Sequence, residues 1–114
     1  NLETLLCGHN WFTNYGGQIT SLDLTNNPLL NRLHCEGNQI PGVLDLSNNP
    51  LITWLTCENN QITNLDISNL SGLKFFSCLD NQLTSLDVSN NDSLIDLNCG
   101  SNLINSLSLT AFRF

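Results

Sequence analysis

The sequence predicts a β-rich solenoid with little or no helix: about five stacked right-handed coils, walled by two parallel β-sheets. Three observations carry this expectation. The five cysteines, Cys7, Cys35, Cys57, Cys78 and Cys99, follow one another at intervals of 28, 22, 21 and 21 residues. An apolar-Asp-apolar tripeptide keeps the same step: Leu22-Asp-Leu24, Leu44-Asp-Leu46, Leu65-Asp-Ile67 and Leu86-Asp-Val88, echoed by Leu107-Ser-Leu109, at 22, 21, 21 and 21. Both landmarks sit in short segments that alternate apolar and polar residues, the period-two signature of a half-buried strand. Two landmarks in step define a repeating unit of 21 residues, read from Leu73 as "LKFFSCLDNQLTSLDVSNNDS". A single coil cannot bury its own Leu face, so stacking on neighbours is obligatory.

In chain order, the first element of each unit is the apolar-x-Cys strand. Its apolar residue and its Cys share one strand face, the face of the Leu core. Cys35, Cys57, Cys78 and Cys99 are therefore expected to form a buried column. Free Cys packs as a small hydrophobe, and apolar burial raises its pKa and silences it. His34 precedes Cys35 directly, so the two side chains point to opposite faces and form no nucleophile–base pair. Zinc ligation is disfavoured, because there is no Cys-x-x-Cys pair and the two histidines lie far apart. Disulfides are the alternative for the column. Equivalent cysteines on adjacent coils would lie about 4.8 Å apart, inside the bridging range, although five is an odd number and parallel side chains aim their sulfurs the same way.

Each strand is followed by turn-forming Asn, Gly or Ser. Asn10, Asn38, Asn60, Asn81 and Asn102 each stand three places after a Cys. Corners of a coil leave inward backbone N–H and C=O groups that cost free energy when unpaired. A buried Asn carries both a donor and an acceptor, so a column of them satisfies one corner through the stack. Asn27, Asn49 and Asn91 form a second column after the other strand, interrupted where Leu70 takes the equivalent place.

The second element is the apolar-Asp-apolar strand. Its outward columns are monotonous: Asp23, Asp45, Asp66, Asp87 and Ser108 in one, Thr25, Ser47, Ser68, Ser89 and Thr110 in the next. Stacked carboxylates repel unless they accept hydrogen bonds or hold cations. Bonding of each Asp within its turn is the simpler reading, and a calcium ladder is the alternative.

The outward columns of the Cys-side strand vary instead. Arg32, Trp54, Phe75 and Asp96 form one; His34, Thr56, Ser77 and Asn98 another; Glu36 and Glu58 lie beside them, followed by Leu79 and Gly100. Scaffold positions repeat, whereas recognition positions need not. Aromatics and Arg are enriched at interface hot spots, so Arg32, His34, Glu36, Trp54, Thr56, Glu58, Phe75, Ser77, Asp96 and Asn98 are the candidate binding face. An insertion of seven residues, Trp11 to Gly17, adds Trp11, Phe12 and Tyr15 as candidate loop contacts or as cover for an open coil end. Both ends of the chain read as cut from something larger, since the first unit opens in mid-repeat without a polar cap.

The unit Leu-x-x-Leu-x-Cys-x-x-Asn-x-Leu/Ile, as in Leu94 to Ile104, resembles the leucine-rich repeat family. Its second half, Leu-x-x-Leu-Asp-Leu-x-x-Asn, resembles the same motif nested within the first. The pattern is similar to the 21-residue nested subclass found in bacterial surface and secreted proteins, notably of Bacteroidota. The resemblance covers nearly the whole chain as a single domain, 1–114. It departs at the insertion, at one extra residue near Pro41-Gly42, and after Leu109. It implies a non-enzymatic module that binds a protein or glycan on the Cys-side sheet, at the cell surface or outside the cell.

Bulk properties narrow the partners. The chain of 114 residues carries a formal net charge of −7, with Arg32, Lys74 and Arg113 its only Lys or Arg residues. Nucleic-acid phosphate and anionic membrane call for a basic patch that is missing here. No apolar run is long enough to span a bilayer. No Ser-His-Asp set or phosphate-binding Gly loop is apparent, no cofactor is implied, and the paired carboxylates occur only as a repeated ladder. A purely structural spacer or docking segment, a subunit of a larger surface assembly, is the second reading.

Overall fold

The computed structural model describes residues 1–8 and 17–108. Nine short strands are shared between two walls, alternating from β2 onward. In chain order they are β1 (Thr4–Leu6), β2 (Arg32–His34), β3 (Pro41–Val43), β4 (Trp54–Thr56), β5 (Gln61–Asn64), β6 (Phe75–Ser77), β7 (Ser85–Asp87), β8 (Asp96–Asn98) and β9 (Ser106–Ser108). No helix occurs among the described residues. The chain is a parallel-strand solenoid with the leucine-rich repeat architecture.

The Cys-side wall is one five-stranded parallel sheet in the order β1-β2-β4-β6-β8. Its register follows the repeat: Arg32 pairs with Trp54, Trp54 with Phe75 and Phe75 with Asp96. The ladder continues through the cysteine amides, with Cys35 N–H donating to Thr56 O, Cys57 to Ser77 O and Cys78 to Asn98 O, each at 2.9 Å.

The opposite wall is less regular than alternation predicts. It contains two separate two-stranded ladders, β3-β5 and β7-β9, rather than one sheet. The expected Leu44-Asp-Leu46 and Leu65-Asp-Ile67 segments form no strand: β3 and β5 end just before them, whereas β7 takes in Asp87. The amides of Ser47, Ser68 and Ser89 donate to the carboxylates of Asp45, Asp66 and Asp87 two residues earlier, at 2.9, 2.9 and 2.8 Å. Those amides are then spent within their own turn. The extra residue noted at Pro41-Gly42 falls where the β3-β5 register shifts, between Gly42 and Val43, and Gly42 takes φ +66°. Glycine enters this left-handed region without the Cβ clash of other residues.

The core lies between the walls. Leu33, Leu55 and Phe76 line it from the sheet, and Leu46, Ile67 and Val88 face them from the Asp side; all are buried. Leu5 and Leu97, on the terminal strands, are only half-buried. About three coils are thus closed on both sides, flanked by a strand at each end, where the repeat count suggested five equivalent coils.

The corners are built twice over. Asn38, Asn60 and Asn81 are buried, as the spacing predicts. The Asn60 side-chain amide donates to Cys35 O of the preceding coil at 3.0 Å, to Cys57 O of its own at 3.1 Å and to Glu58 O at 3.1 Å. Its carbonyl accepts from Ile40 N at 3.0 Å. Asn81 makes the same contacts one coil on, with Cys57 O, Cys78 O, Leu79 O and Ile62 N. Asn38 and Asn102 complete the column, joining Ile19 N and Leu83 N respectively. Just before each Asn stands a residue with positive φ: Gly37 at 70°, Asn59 at 51°, Asp80 at 56° and Ser101 at 50° follow a cysteine by two places.

The second Asn column is weaker. Asn49 donates to Leu24 O and Asn27 O, and Asn91 to Ile67 O and Leu70 O. Their Oδ1 atoms are buried without a donor. At the interruption by Leu70, the neighbouring Asn69 steps in and reaches Leu46 O at 3.1 Å. The expected gap is therefore bridged from the adjacent position.

Candidate functional site

Strand register assembles the candidate face. The strands bring ten sequence-predicted residues onto one side of the five-stranded sheet, in two in-register columns with Glu36 and Glu58 at their C-terminal edge. The repeat beginning at Leu5 was read from sequence, but its outward residues were not added to the face: Thr4 pairs with Arg32 and Leu6 with His34. The signal was present, since Leu5 and Cys7 repeat the spacing of Leu33 and Cys35. Leu6 is 70% exposed beside His34. The candidate loop residues Trp11, Phe12 and Tyr15 lie outside the described residues.

Spacing between parallel strands stacks the first column. The Arg32 guanidinium carbon lies 4.7 Å from the Trp54 ring centroid, and Trp54 and Phe75 approach to 4.5 Å at an interplanar angle of 33°. His34 closes on Trp54 from the side at 5.8 Å. Such contacts contribute roughly 0.5–1.5 kcal/mol each between aromatics and about 0.5–1 for an exposed cation–π pair. They leave Trp54 and Phe75 half-buried on the outward face.

Thr56 links the second column to the carboxylates. Its hydroxyl donates to Glu36 Oε2 at 2.9 Å and lies 3.0 Å from His34 Nδ1. A hydroxyl has one proton, so with that proton on the Glu36 bond, Nδ1 is the donor in the other. The Glu36 carboxyl lies over Gly8, where any Cβ would collide with it. Glu36, Thr56 and His34 are thereby fixed. Glu58 and Asp96 have no hydrogen-bond or ion-pair partner for their carboxylates among the described residues. Together with Trp54, Phe75, Ser77 and Asn98 they line an open groove on the sheet.

The thiols sit behind this face. All five are free. Cys35, Cys57 and Cys78 are fully buried; Cys99, expected in the same column, is half-buried because β8 is the end strand of its sheet. Burial pushes the Cys78 thiol up to about 12 and raises Cys35 and Cys57 well above their ordinary value, with neighbouring thiols and acids adding to the effect. The Cys57 thiol donates to Ser77 O at 3.6 Å. These are protonated packing groups rather than nucleophiles. On the Asp side, hydrogen bonds from Thr25, Ser47, Ser68 and Ser89 hold Asp23, Asp45, Asp66 and Asp87 below the usual carboxylate range. The turn reading of the Asp ladder accounts for these carboxylates. Among the described residues no group of three or more His, Cys, Asp or Glu is placed to hold a metal ion, and no helix is long and apolar enough to cross a membrane.

Two solved structures are similar to the chain. One is the functional domain of InlJ from Listeria monocytogenes, which includes a cysteine ladder: 32% identity and a TM-score of 0.60, over 88% of this chain and 25% of that one. The other is a leucine-rich repeat protein of Leptospira interrogans: 32% identity and a TM-score of 0.68, over 80% of this chain and 25% of that one. The chain thus spans about a quarter of the length of each. No family model and no curated protein matches it.

Proposed function

We propose that this leucine-rich repeat chain is a non-enzymatic binding module that holds a protein partner against the outward face of its five-stranded sheet, as part of a larger bacterial surface or secreted protein. One observation carries the reading: the Arg32–Trp54–Phe75 stack runs across three adjacent strands on a face the core does not use. Aromatics and Arg on a rigid, flat scaffold supply large contact area at low entropic cost. The scaffold does not demand them, because the same column bears Thr4 and Asp96 at its ends. The bacterial leucine-rich repeat neighbours favour a module of this kind, and the 21-residue nested pattern fits a surface protein of Bacteroidota type. Among the described residues, buried, protonated thiols and turn-bound aspartates are packing and turn groups rather than activated nucleophiles, which supports the non-enzymatic reading.

Half-burial of the aromatic pair favours a second reading, a structural spacer in a surface assembly, in which the rings only shield the sheet. The variant W54S/F75S separates the two. On the binding reading, a partner recovered by the wild-type chain from its native surface is lost, while the melting temperature falls by less than about 5 °C. Retained partner with a collapse of stability supports the spacer.

A further inference from the structure

Two aromatic rings on one column have four faces, and the molecule fills three of them. Arg32 and Phe75 take the two faces of Trp54, and Trp54 takes one face of Phe75. Across the sheet from Phe75, the next residue in register is Asp96, whose side chain is short and exposed. The groove at this step is bounded by Phe75, Asp96, Glu58, Asn98, Ser77 and Trp54. It contains two carboxylates and no cation. Neither carboxylate has an ion-pair partner among the described residues, whereas Glu36, the equivalent of Glu58 one coil earlier, is bonded to Thr56.

We infer that this groove takes the cationic side chain of a partner protein, an arginine or lysine laid on the free face of Phe75 with Glu58 and Asp96 around its charged end. The inference rests on the sheet being a binding face and names the group it receives. Three features argue for a cation. The column already shows the mode, because the chain's own Arg32 packs on Trp54 at 4.7 Å. A ring face beside carboxylates attracts a cation through both the ring quadrupole and the charges, while an anion is repelled by both. The long-range field agrees: a net charge of −7 draws a basic partner and accelerates its encounter. Ser77 and Asn98 supply neutral hydrogen-bonding groups at the rim.

The test is an NMR titration of the isotope-labelled chain with three small probes: N-acetyl-arginine amide, the uncharged isostere N-acetyl-citrulline amide, and methyl β-glucoside. The arginine probe is expected to shift the amide signals of Phe75, Ser77, Asp96 and Asn98, saturating in the millimolar range. The citrulline probe is expected to leave them at least tenfold less affected. The variant E58Q/D96N is expected to weaken the arginine response about tenfold with an unchanged amide spectrum elsewhere. Equal response to arginine and citrulline, an unaltered response in E58Q/D96N, or response to the glucoside alone overturns the cation site and leaves the sheet as a binding face of other chemistry. Silence towards all three probes also overturns it, and W54S/F75S then decides separately whether the sheet binds a partner at all.

Discussion

The two walls of this solenoid manage the same problem, the backbone amides of stacked coils, with opposite use of their side chains. On the Cys side, inward asparagines satisfy the corners and strand pairing satisfies the rest, so outward side chains are free to differ from coil to coil. On the Asp side, outward carboxylates accept the amides of Thr25, Ser47, Ser68 and Ser89, so the outward surface is committed to the fold and repeats. Variation on one wall and monotony on the other therefore report where inward asparagines suffice and where outward carboxylates work beside the inward Asn49 and Asn91. The wall whose surface is spared is the one with the aromatic column.

The sharpest way to break this contrast is to remove a clamp from the Cys side. Asn60→Ala deletes bonds to Cys35 O, Cys57 O, Glu58 O and Ile40 N in a buried corner. The Ile40 amide is left unpaired, while Cys35 O keeps Asn38, Cys57 O keeps Asn81 and Glu58 O keeps the Gly37 amide. At about 1–3 kcal/mol for the orphaned amide and about 1 for each lost bond to a carbonyl, the variant is expected to lose about 3 kcal/mol or more in urea unfolding. The Asp-side clamp is expected to matter less. Asn69→Ala removes two bonds, of which only the one to Leu46 O is short, and leaves its site partly open to water. A loss of about 1 kcal/mol is expected, and equal losses at both positions would erase the distinction between the walls.

The smallest effects are read by pH, and the walls titrate at opposite ends of the scale. Asp23, Asp45, Asp66 and Asp87 have depressed folded-state pKa values against an ordinary 3.8. Their contribution is present above that value and drains as pH falls through the lower folded values. The thiols have the opposite sign. Their folded values lie above an ordinary 9.0, so their contribution is present below 9.0 and is lost as pH rises through the folded values, about 12 for Cys78. A melting-temperature profile should thus decline below about pH 4 and again above about pH 9. D45N should shrink only the acid decline, and Cys57→Ala only the alkaline one; a shift of the same limb by both variants would contradict the assignment.

Much of this arrangement was legible in the sequence, because a strict period converts one local inference into many. The cysteine column, the inward asparagines and the columns Arg32–Trp54–Phe75–Asp96 and His34–Thr56–Ser77–Asn98 follow from spacing alone. What spacing misses is physical detail that does not repeat. In the second wall β3 and β5 stop short of Asp45 and Asp66 while β7 takes in Asp87, a difference that the shared tripeptide does not carry. Asn69 replaces Leu70 as clamp because a long amide reaches from the adjacent position. Cys99 is half-buried because burial depends on a neighbour on both sides, a property of location in the stack and not of the motif. Trp54 and Phe75 are half-buried because rings at strand spacing cover each other, which a column of letters does not convey.

The corner asparagines have a direction. Asn38, Asn60, Asn81 and Asn102 each reach back to the cysteine carbonyl of the coil before them, to Cys7, Cys35, Cys57 and Cys78, and each receives an amide from that same coil. A coil is therefore fastened by its successor. A chain made from the N-terminus thus has, in each newly emerged coil, the latch for the one already made, and order is expected to accumulate behind the nascent end like the teeth of a zip behind its slider.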